Sequence, residues 1–436
     1  MKLNLNSTLS TNITAGLMVS FIAMPLCIAI AIASQFSPLA GVFTAIIGGI
    51  IVSQINGSFV TITGPAAGMI VVIADATTNL ANLQGGDLFL GYKSCLGAIV
   101  VASIMQVICG FTNIANYLRK FPESIIRGMM SAIGLIIILK QVFTIFGYKI
   151  PKESLFMLIT DIPLAFLGAQ SETLILGLST IIAIVLWQNL IIKKFPQLKI
   201  IPIYLILIII GSFVAYKINI SNFRHYIQPN FANPPQDWFI KLPKDWYQAI
   251  TLPDFQHLFS YQFWLAVLTI FAVGSLETIL SAIAVDKLDP LQRNSNLPKD
   301  LRAIGIGNII CGSIGALPMI SEVVRSSANV SYGATNKWAN FYHGFFLLIF
   351  VLFFNNLLGK IPLAILASML IVIGINLINF KLLKNLYHED KASIIIIATT
   401  VFFTIYVDLL VGIIAGLVTF KVIATIKNYY QSNYAK

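Results

Sequence analysis

Charge is what this sequence has least of: Lys, Arg, Asp and Glu make up 10% of its 436 residues, where a soluble globular chain carries about 25%. That is too little to clothe a water-facing surface of this length, and it excludes an ordinary cytosolic enzyme. Cysteine is scarce too. Cys27, Cys95, Cys109 and Cys311 sit in apolar stretches without CxxC or Cys/His spacing, so they read as packing residues, not as a metal site or disulfide framework. His225, His257, His343 and His388 have no metal-ligand spacing either. Only His343 lies in an apolar segment, where a hydrogen-bonded packing role is expected. No glycine-rich nucleotide loop is present, which argues against direct driving by ATP and against a bound cofactor. A secretory signal is missing as well, because the apolar stretch from Ala15 to Ala33 is too long for a signal core and is followed at once by another span.

What the sequence has in abundance is apolar surface, 57% of its residues. Apolar segments fall at 14–33, 39–55, 65–78, 91–111, 123–146, 172–192, 200–219, 262–285, 300–315, 318–330, 336–356, 361–379, 391–406 and 408–426. The fold class expected is therefore an all-α polytopic membrane protein of fourteen segments. The net charge of +11 then reads as topology and not as affinity for nucleic acid. With the N-terminus inside, Lys and Arg collect at the inner ends roughly twice as often as at the outer ends, so both termini are expected to be cytoplasmic. Fourteen segments divide into two sets of seven, and because seven is odd the second set enters the bilayer in the opposite sense. The halves form an inverted repeat. The polar stretch 220–261, with Trp238 and Trp246, is expected to link them outside, its aromatics at the interface.

The third and tenth segments are too short to cross about 30 Å of hydrocarbon as helices. Each opens at a proline, Pro65 or Pro318, expected at the first helical position. Short, broken helices at the same place in two inverted halves are the pattern of secondary transporters, with substrate held between the half-helix N-termini. Those N-termini present free N–H groups and partial positive charge, a cradle for an anion that needs no metal. The expected substrate-binding residues are Thr63, Gly64, Ala66, Ala67 and Gly68 on one side, and Met319, Ile320, Ser321 and Arg325 on the other. Two simple proline kinks in packed helices are the plainer alternative.

Arg325 has two readings, as positive potential beside an anion or as the partner of Glu322 three residues earlier, and both can hold together. Glu277 lies deep in the eighth segment, with Ser281 one turn on. Glu277, Ser281 and Glu322 are accordingly the expected cation-coupling residues, Glu277 and Ser281 offering oxygens to Na⁺ or Glu277 carrying H⁺; a structural hydrogen bond is the alternative for Glu277. Asp75, Asp286 and Asp408 fall near segment ends, where water reaches them, and Glu123 with Arg127 reads as a local ion pair.

These residues also resemble a family of anion carriers, the sulfate permease or SulP family. The resemblance rests on AGLMVSFIAMPLCIAIAIASQFSPLAGVFTAIIGGII in the first two segments, on TITGPAAGMIVVI, on GSLETILSAIAVDKLD and on LPMISEVVRSSANVSYGATNKWANFYHG, and it spans nearly the whole chain. It implies a core (14–111 and 262–356) moving against a gate (123–219 and 361–426) as an elevator, often in a homodimer. It matches Arg325 and Glu277 to the family's tenth-segment arginine and eighth-segment acid, and Ser281 to a hydroxylated position of sodium-coupled bicarbonate relatives. Leu26 and Glu322 depart from the family pattern. The chain stops about ten residues after its last segment, so the expectation is a short bacterial member without the cytoplasmic STAS domain, in the inner membrane. Some such members are linked to carbonic anhydrases. The function implied is transport of bicarbonate or sulfate, coupled to Na⁺ or H⁺ or run as exchange, and not an enzyme activity. A nucleobase–cation symporter of the same architecture and an anion channel are the alternatives.

Overall fold

The computed structural model describes residues 5–112, 121–148, 155–217, 238–243, 245–407 and 409–434. Asp408, His225 and most of the expected outer linker, 220–237 and Lys244, lie outside the described residues. Those within 1–120, 175–225 and 237–369 form one compact unit, and those within 121–174 and 370–436 form another.

Every apolar segment read from the sequence overlaps a helix. In chain order these are α1 (Leu5–Ala33), α2 (Pro38–Ile47, running through a π turn to Ile55), then strand β1 (Ile62–Pro65), α3 (Ile70–Asn82) and α4 (Leu88–Gly110). Next come α5 (Glu123–Ile145), α6 (Leu155–Leu167), α7 (Ser171–Leu186), α8 (Ile203–Lys217), α9 (Tyr261–Asp286) and α10 (Leu297–Ile314). Strand β2 (Met319–Glu322) follows, with α11 (Val323–Ser331), α12 (Trp338–Leu358), α13 (Leu363–Ile378), α14 (Phe380–Glu389), α15 (Lys391–Tyr406) and α16 (Leu409–Tyr434). Among the described residues eight helices are long and apolar enough to cross a membrane, and four more are apolar but shorter. The chain is a multi-pass membrane protein. Helix α6 was not expected: at thirteen residues, with Asp161 and Pro163 inside, its sequence does not read as a span.

In the first unit α1 packs along α2 and α12, and α4 runs against α3, α9 and α10. These helices are apolar on most sides, the pattern of buried helices, and Val19, Ala23, Leu39, Leu96 and Ile304 are fully enclosed. Side-chain caps fix three starts: Asp87 accepts from Phe89 and Leu90 N–H at α4, Ser260 from Phe263 N–H at α9, and Asn296 from Lys299 N–H at α10. Gly315, at φ 88°, ends α10 in the left-handed region and turns the chain toward β2. The Tyr92 hydroxyl donates to its carbonyl at 2.7 Å, pinning that turn to α4. Trp238 is buried, and its backbone carbonyl accepts from Leu363 N–H at 2.9 Å.

Between α9 and α10 the loop is held by charge. Asp289 accepts from Arg293 Nε at 2.7 Å and Nη2 at 3.0 Å, and from the backbone N–H of Leu291 and Arg293. Burial alone would raise the Asp289 carboxyl, but these bonds and the Arg293 charge hold it below its usual range. Asp286 accepts from the Ser295 N–H at 2.9 Å and from its hydroxyl. In the second unit α5 packs on α15 and α16, with Gly128 against Thr400. The expected Glu123–Arg127 pair forms at the start of α5, at 2.5 Å.

Candidate functional site

Two broken segments meet in the first unit, and they meet as strands. β1 and β2 pair antiparallel, with Ile62 opposite Glu322, Thr63 opposite Ser321, Gly64 opposite Ile320 and Pro65 opposite Met319. This corrects the expectation that Pro65 and Pro318 each open a helix. Pro65 ends β1, Pro318 precedes β2, and the helices begin only after a 3-10 turn at Ala67–Met69 and at Val323. The reason is backbone accounting: away from water every N–H and C=O must find a protein partner, and two short strands supply each other.

What the strands cannot supply, side chains do. Asn308 of α10 grips Met319 from both sides, accepting from its N–H at 2.6 Å and donating to its carbonyl at 3.1 Å. The same amide donates to Gln106 of α4 at 3.1 Å, and Gln106 donates to Ser275 of α9 at 3.3 Å. Thr44 of α2 donates to the Leu317 carbonyl at 2.7 Å. On the β1 side the Ile62 N–H donates to Ser326 Oγ at 2.8 Å, Asn329 donates to the Val60 carbonyl at 2.8 Å, and Asn340 donates to Thr63 Oγ1 at 3.0 Å. An apolar run such as GIGNIICG hides Asn308 well; its one signal is a lone amide among small residues.

Arg325, in the first turn of α11, is buried with 1% of its surface exposed. A guanidinium at membrane depth costs about 2.5–3.5 kcal/mol or more without partners. Here Nη2 donates to the Pro65 carbonyl, Nη1 lies 3.3 Å from Cys27 Sγ, and Glu322 Oε1 stands 3.8 Å away. Glu322 is the extended residue that caps α11, so the pair expected from the sequence forms, although not along one helical face. Gly64 makes this possible. A Cβ there would lie 2.5 Å from Arg325 Nη1. Cys27, read from the sequence as packing alone, is thus also a neighbour of the guanidinium; a thiol is a weak acceptor, so Nη1 is the arm with most to gain from a better one.

Glu277 stands on α9, which packs against β2, α11, α3 and the 3-10 turn. Its Oε2 is buried without a hydrogen-bond partner among the described residues. Gly68, in that 3-10 turn, has no room for a side chain, because a Cβ there would collide with the Glu277 carboxylate. Ser281, one turn further along α9, is buried as well. Ala66 and Ala67 stand at the entry to the turn, and Met319, Ile320 and Ser321 form β2. Ser321 Oγ has no partner among the described residues. The ribbon and the two helices that follow it therefore gather Thr63, Gly64, Ala66, Ala67, Gly68, Met319, Ile320, Ser321, Glu322 and Arg325, and α9 brings Glu277 to Gly68. The remaining acids lie apart: Asp75 is exposed on α3 and Asp286 is tied to its own loop.

His343 departs from its expected role. It is completely buried on α12, yet neither ring nitrogen has a hydrogen-bond partner among the described residues.

Comparison with known proteins bears on this geometry. A profile of the Sulfate permease family matches residues 9–400. The chain is 24% identical over 412 residues to the bicarbonate transporter BicA of Picosynechococcus sp., covering 93% of this chain and 68% of that protein. It is 27% identical over 412 residues to the putative sulfate transporter YvdB of Bacillus subtilis, covering 93% and 72%. Among solved structures, the transmembrane domain of a cyanobacterium bicarbonate transporter BicA matches with a TM-score of 0.77 at 23% identity, covering 94% of this chain and 97% of that one. The overall structure of SLC26A9 matches with a TM-score of 0.82 at 15% identity, covering 98% and 67%. At these identities the shared property is the fold.

Proposed function

The chain belongs to the sulfate permease family, and from that premise we propose that it is a secondary transporter of a small inorganic anion, bicarbonate or sulfate, held beside Arg325 where the two broken segments meet. The observation that carries this reading is the buried guanidinium itself. It sits against the end of β1, its neighbours are backbone and small uncharged groups apart from Glu322, and Nη1 faces only a thiol. An anion oxygen that replaced Cys27 at Nη1 would gain a charge-assisted hydrogen bond while Nη2 kept its hold on Pro65. Gly64 lets the guanidinium lie against the end of β1, and the small Ala66 and Ala67 that follow add little bulk where an oxyanion at Nη1 would approach the backbone. BicA and YvdB, a bicarbonate and a putative sulfate transporter by name, support the substrate class.

Between the two anions, charge favours bicarbonate. Glu277, Glu322 and Arg325 sum to −1 when all are ionised, a poor host for a dianion and a tolerable one for a monoanion with a cation. The coupling cation, Na⁺ or H⁺, is assigned to Glu277 with Ser281. The buried, unpartnered Oε2 supports this, since a carboxylate oxygen in that setting calls for a cation or a proton. Movement of a core containing the ribbon against a gate, as an elevator in a homodimer of the bacterial inner membrane with both termini cytoplasmic, completes the reading.

Uptake of labelled bicarbonate and sulfate by proteoliposomes, with and without an inward Na⁺ gradient and at two pH values, tests it. Saturable, gradient-driven uptake of one anion is expected. Truncating one partner of a buried, hydrogen-bonded charge pair costs about 2–5 kcal/mol of binding, so Arg325→Ala should weaken anion uptake by roughly two orders of magnitude in the fraction of protein that elutes as a folded species. Uptake and affinity unchanged in that variant would remove Arg325 from the site. Glu277→Gln should abolish stimulation by the cation gradient; stimulation retained at the wild-type level would leave this carboxyl a structural group.

A further inference from the structure

Between the apolar helices α13 and α15 lies a short helix of different character. α13 ends at Ile378, Asn379 breaks the helix with a left-handed φ of 50°, and α14 runs from Phe380 to Glu389 before α15 begins at Lys391. The Asn379 side chain accepts from Leu382 N–H at 3.3 Å, and Asp390 accepts from Ser393 N–H at 3.2 Å and from its hydroxyl at 2.6 Å. Each elbow is one residue long and capped. That holds α14 at the level where α13 leaves the apolar layer of the membrane and α15 enters it again.

At about 100° per residue, α14 sorts its side chains onto two faces without mixing: Phe380, Leu382, Leu383, Leu386 and Tyr387 on one, Lys381, Lys384, Asn385, His388 and Glu389 on the other. None of them is buried. Leu382, Leu383 and Leu386 are half-buried where the helix rests on α15, whereas Phe380 and Tyr387 stay 62% and 61% exposed. A helix of ten residues is marginal in water without an apolar cover, and its two largest apolar side chains lack one here. The basic side is extended by α16. Gly412 packs against Thr404 and Gly416 against Thr400, an antiparallel register that, continued, sets Thr425 beside Lys391. Lys427 therefore joins Lys381, Lys384 and Lys391 at this end of the unit, and all four are exposed. The acids there are Glu389 and Asp390, of which Asp390 is engaged in capping α15.

The counterpart in the first half has no such charge. α6 sits between α5 and α7 as α14 sits between α13 and α15; it leaves Met157, Leu164, Phe166 and Leu167 exposed, and it holds Asp161 but no Lys or Arg. Apolar surface is common to both positions, and positive charge belongs to α14. We propose that α14 lies in the headgroup layer and is a docking surface for anionic phospholipid: Phe380 and Tyr387 enter the acyl boundary, and Lys381 and Lys384, with Lys391 and Lys427, hold headgroup phosphates. Lipid is the occupant on two grounds. The apolar face of α14 is continuous with α15, whose Ile395 and Phe402 are exposed, and the lysines complement a phosphate. On the topology proposed above the lipid belongs to the cytoplasmic leaflet. The inference does not depend on the anion site.

A bimane label on Tyr387→Cys in the full chain, reconstituted into liposomes, tests it, with the same label on Phe166→Cys of α6 as reference. Cys109→Ser is included in both, since the other three cysteines are buried. Brominated phosphatidylglycerol and brominated phosphatidylcholine are compared as quenchers at equal mole fraction, and iodide as a quencher from water. Both lipids should quench the label on α14, with phosphatidylglycerol preferred at low salt by about fivefold for each lysine in reach; the label on α6 should show no such preference. With Lys381→Gln and Lys384→Gln together, the preference should fall by about an order of magnitude or more while phosphatidylcholine still quenches. Lys384→Gln alone, expected to lose about fivefold, carries the test should the double variant fail to fold. Equal quenching by the two lipids with all lysines present overturns the proposal, as does a preference unchanged in the lysine variants. Quenching of the α14 label by iodide and not by lipid places the helix in water, and quenching by neither means that protein, such as a second copy of the chain, covers it; either result overturns lipid docking.

Discussion

The two strands of the ribbon look alike in backbone and are opposite in chemistry. β1 and the turn after it, TGPAAG, carry no charge, and their glycines leave space: Gly64 for the Arg325 guanidinium, Gly68 for the Glu277 carboxylate. β2 and α11 carry Glu322 and Arg325, and the strand's own half also contributes Asn308, Asn340 and Glu277. The first half of the chain provides room and backbone, and the second half provides charge and most of the tethers. The proposed site lies where the two halves differ, because one buried positive group can face an anion whereas two symmetric arginines would repel each other.

The largest test of this division is to cut the tether of the charged side. Asn308→Ala strands the Met319 N–H and C=O together, and each buried group left unpaired costs about 1–3 kcal/mol, so a loss of about 3 kcal/mol is expected in thermal or denaturant unfolding in detergent. The corresponding tether from the first half, Thr44, makes one bond to the Leu317 carbonyl, and Thr44→Val should cost only about 1 kcal/mol. Equal losses for the two variants would erase the asymmetry. Next in size is the room itself. Gly68→Ala places a methyl against the Glu277 carboxylate, an overpacking worth about 1–3 kcal/mol, and it should depress cation-coupled uptake more than stability; a variant with wild-type uptake would mean the carboxylate moves aside freely.

The smallest effect expected is in the links that lead into each half's second helix. Ser34–Ser37, between α1 and α2, is a neutral turn closed by backbone bonds such as Phe36 N–H to Ala31 O, whereas the α9–α10 loop hangs on Asp289 and Arg293. Because the Asp289 carboxyl is held below its usual range, its contribution is complete above the unfolded-state value of about 3.9 and is lost as pH falls through the lower folded value. Asp289→Asn should therefore cost about 1 kcal/mol near neutral pH and less in acid. A stability difference that stayed constant from pH 7 to pH 3 would show that the carboxylate charge does not hold this loop.

Much of the architecture could be read before any coordinates. Apolar length located fourteen stretches that each overlap a helix but missed α6, and the shortness of the third and tenth marked the break, because hydrocarbon thickness sets a minimum that 65–78 and 318–330 do not reach. Arg325 and Glu277 stood out since charge is so rare elsewhere in the chain. Strand pairing was not legible. Pro65 and Pro318 are as acceptable at a helix start as beside a strand, and the partner that decides between them lies more than two hundred residues away. The same distance hid Cys27, whose neighbour Arg325 is 298 residues on, whereas Asn308 was hidden by a turn: its partner Met319 is only eleven residues away, but the chain reaches it by reversing at Gly315.

The ribbon also has a history within each molecule. β1 pairs Ile62–Pro65 with Met319–Glu322, about 260 residues later, so at about 5–20 residues per second of synthesis the first strand waits roughly a quarter of a minute to a minute for its partner. During that interval its edge amides and carbonyls have no mate within the nascent chain. The proposed anion site is consequently among the last features to assemble during biogenesis. A ribosome that stalls before the tenth segment leaves a half-carrier with an open strand edge inside the lipid, the kind of lesion that membrane quality control has to remove.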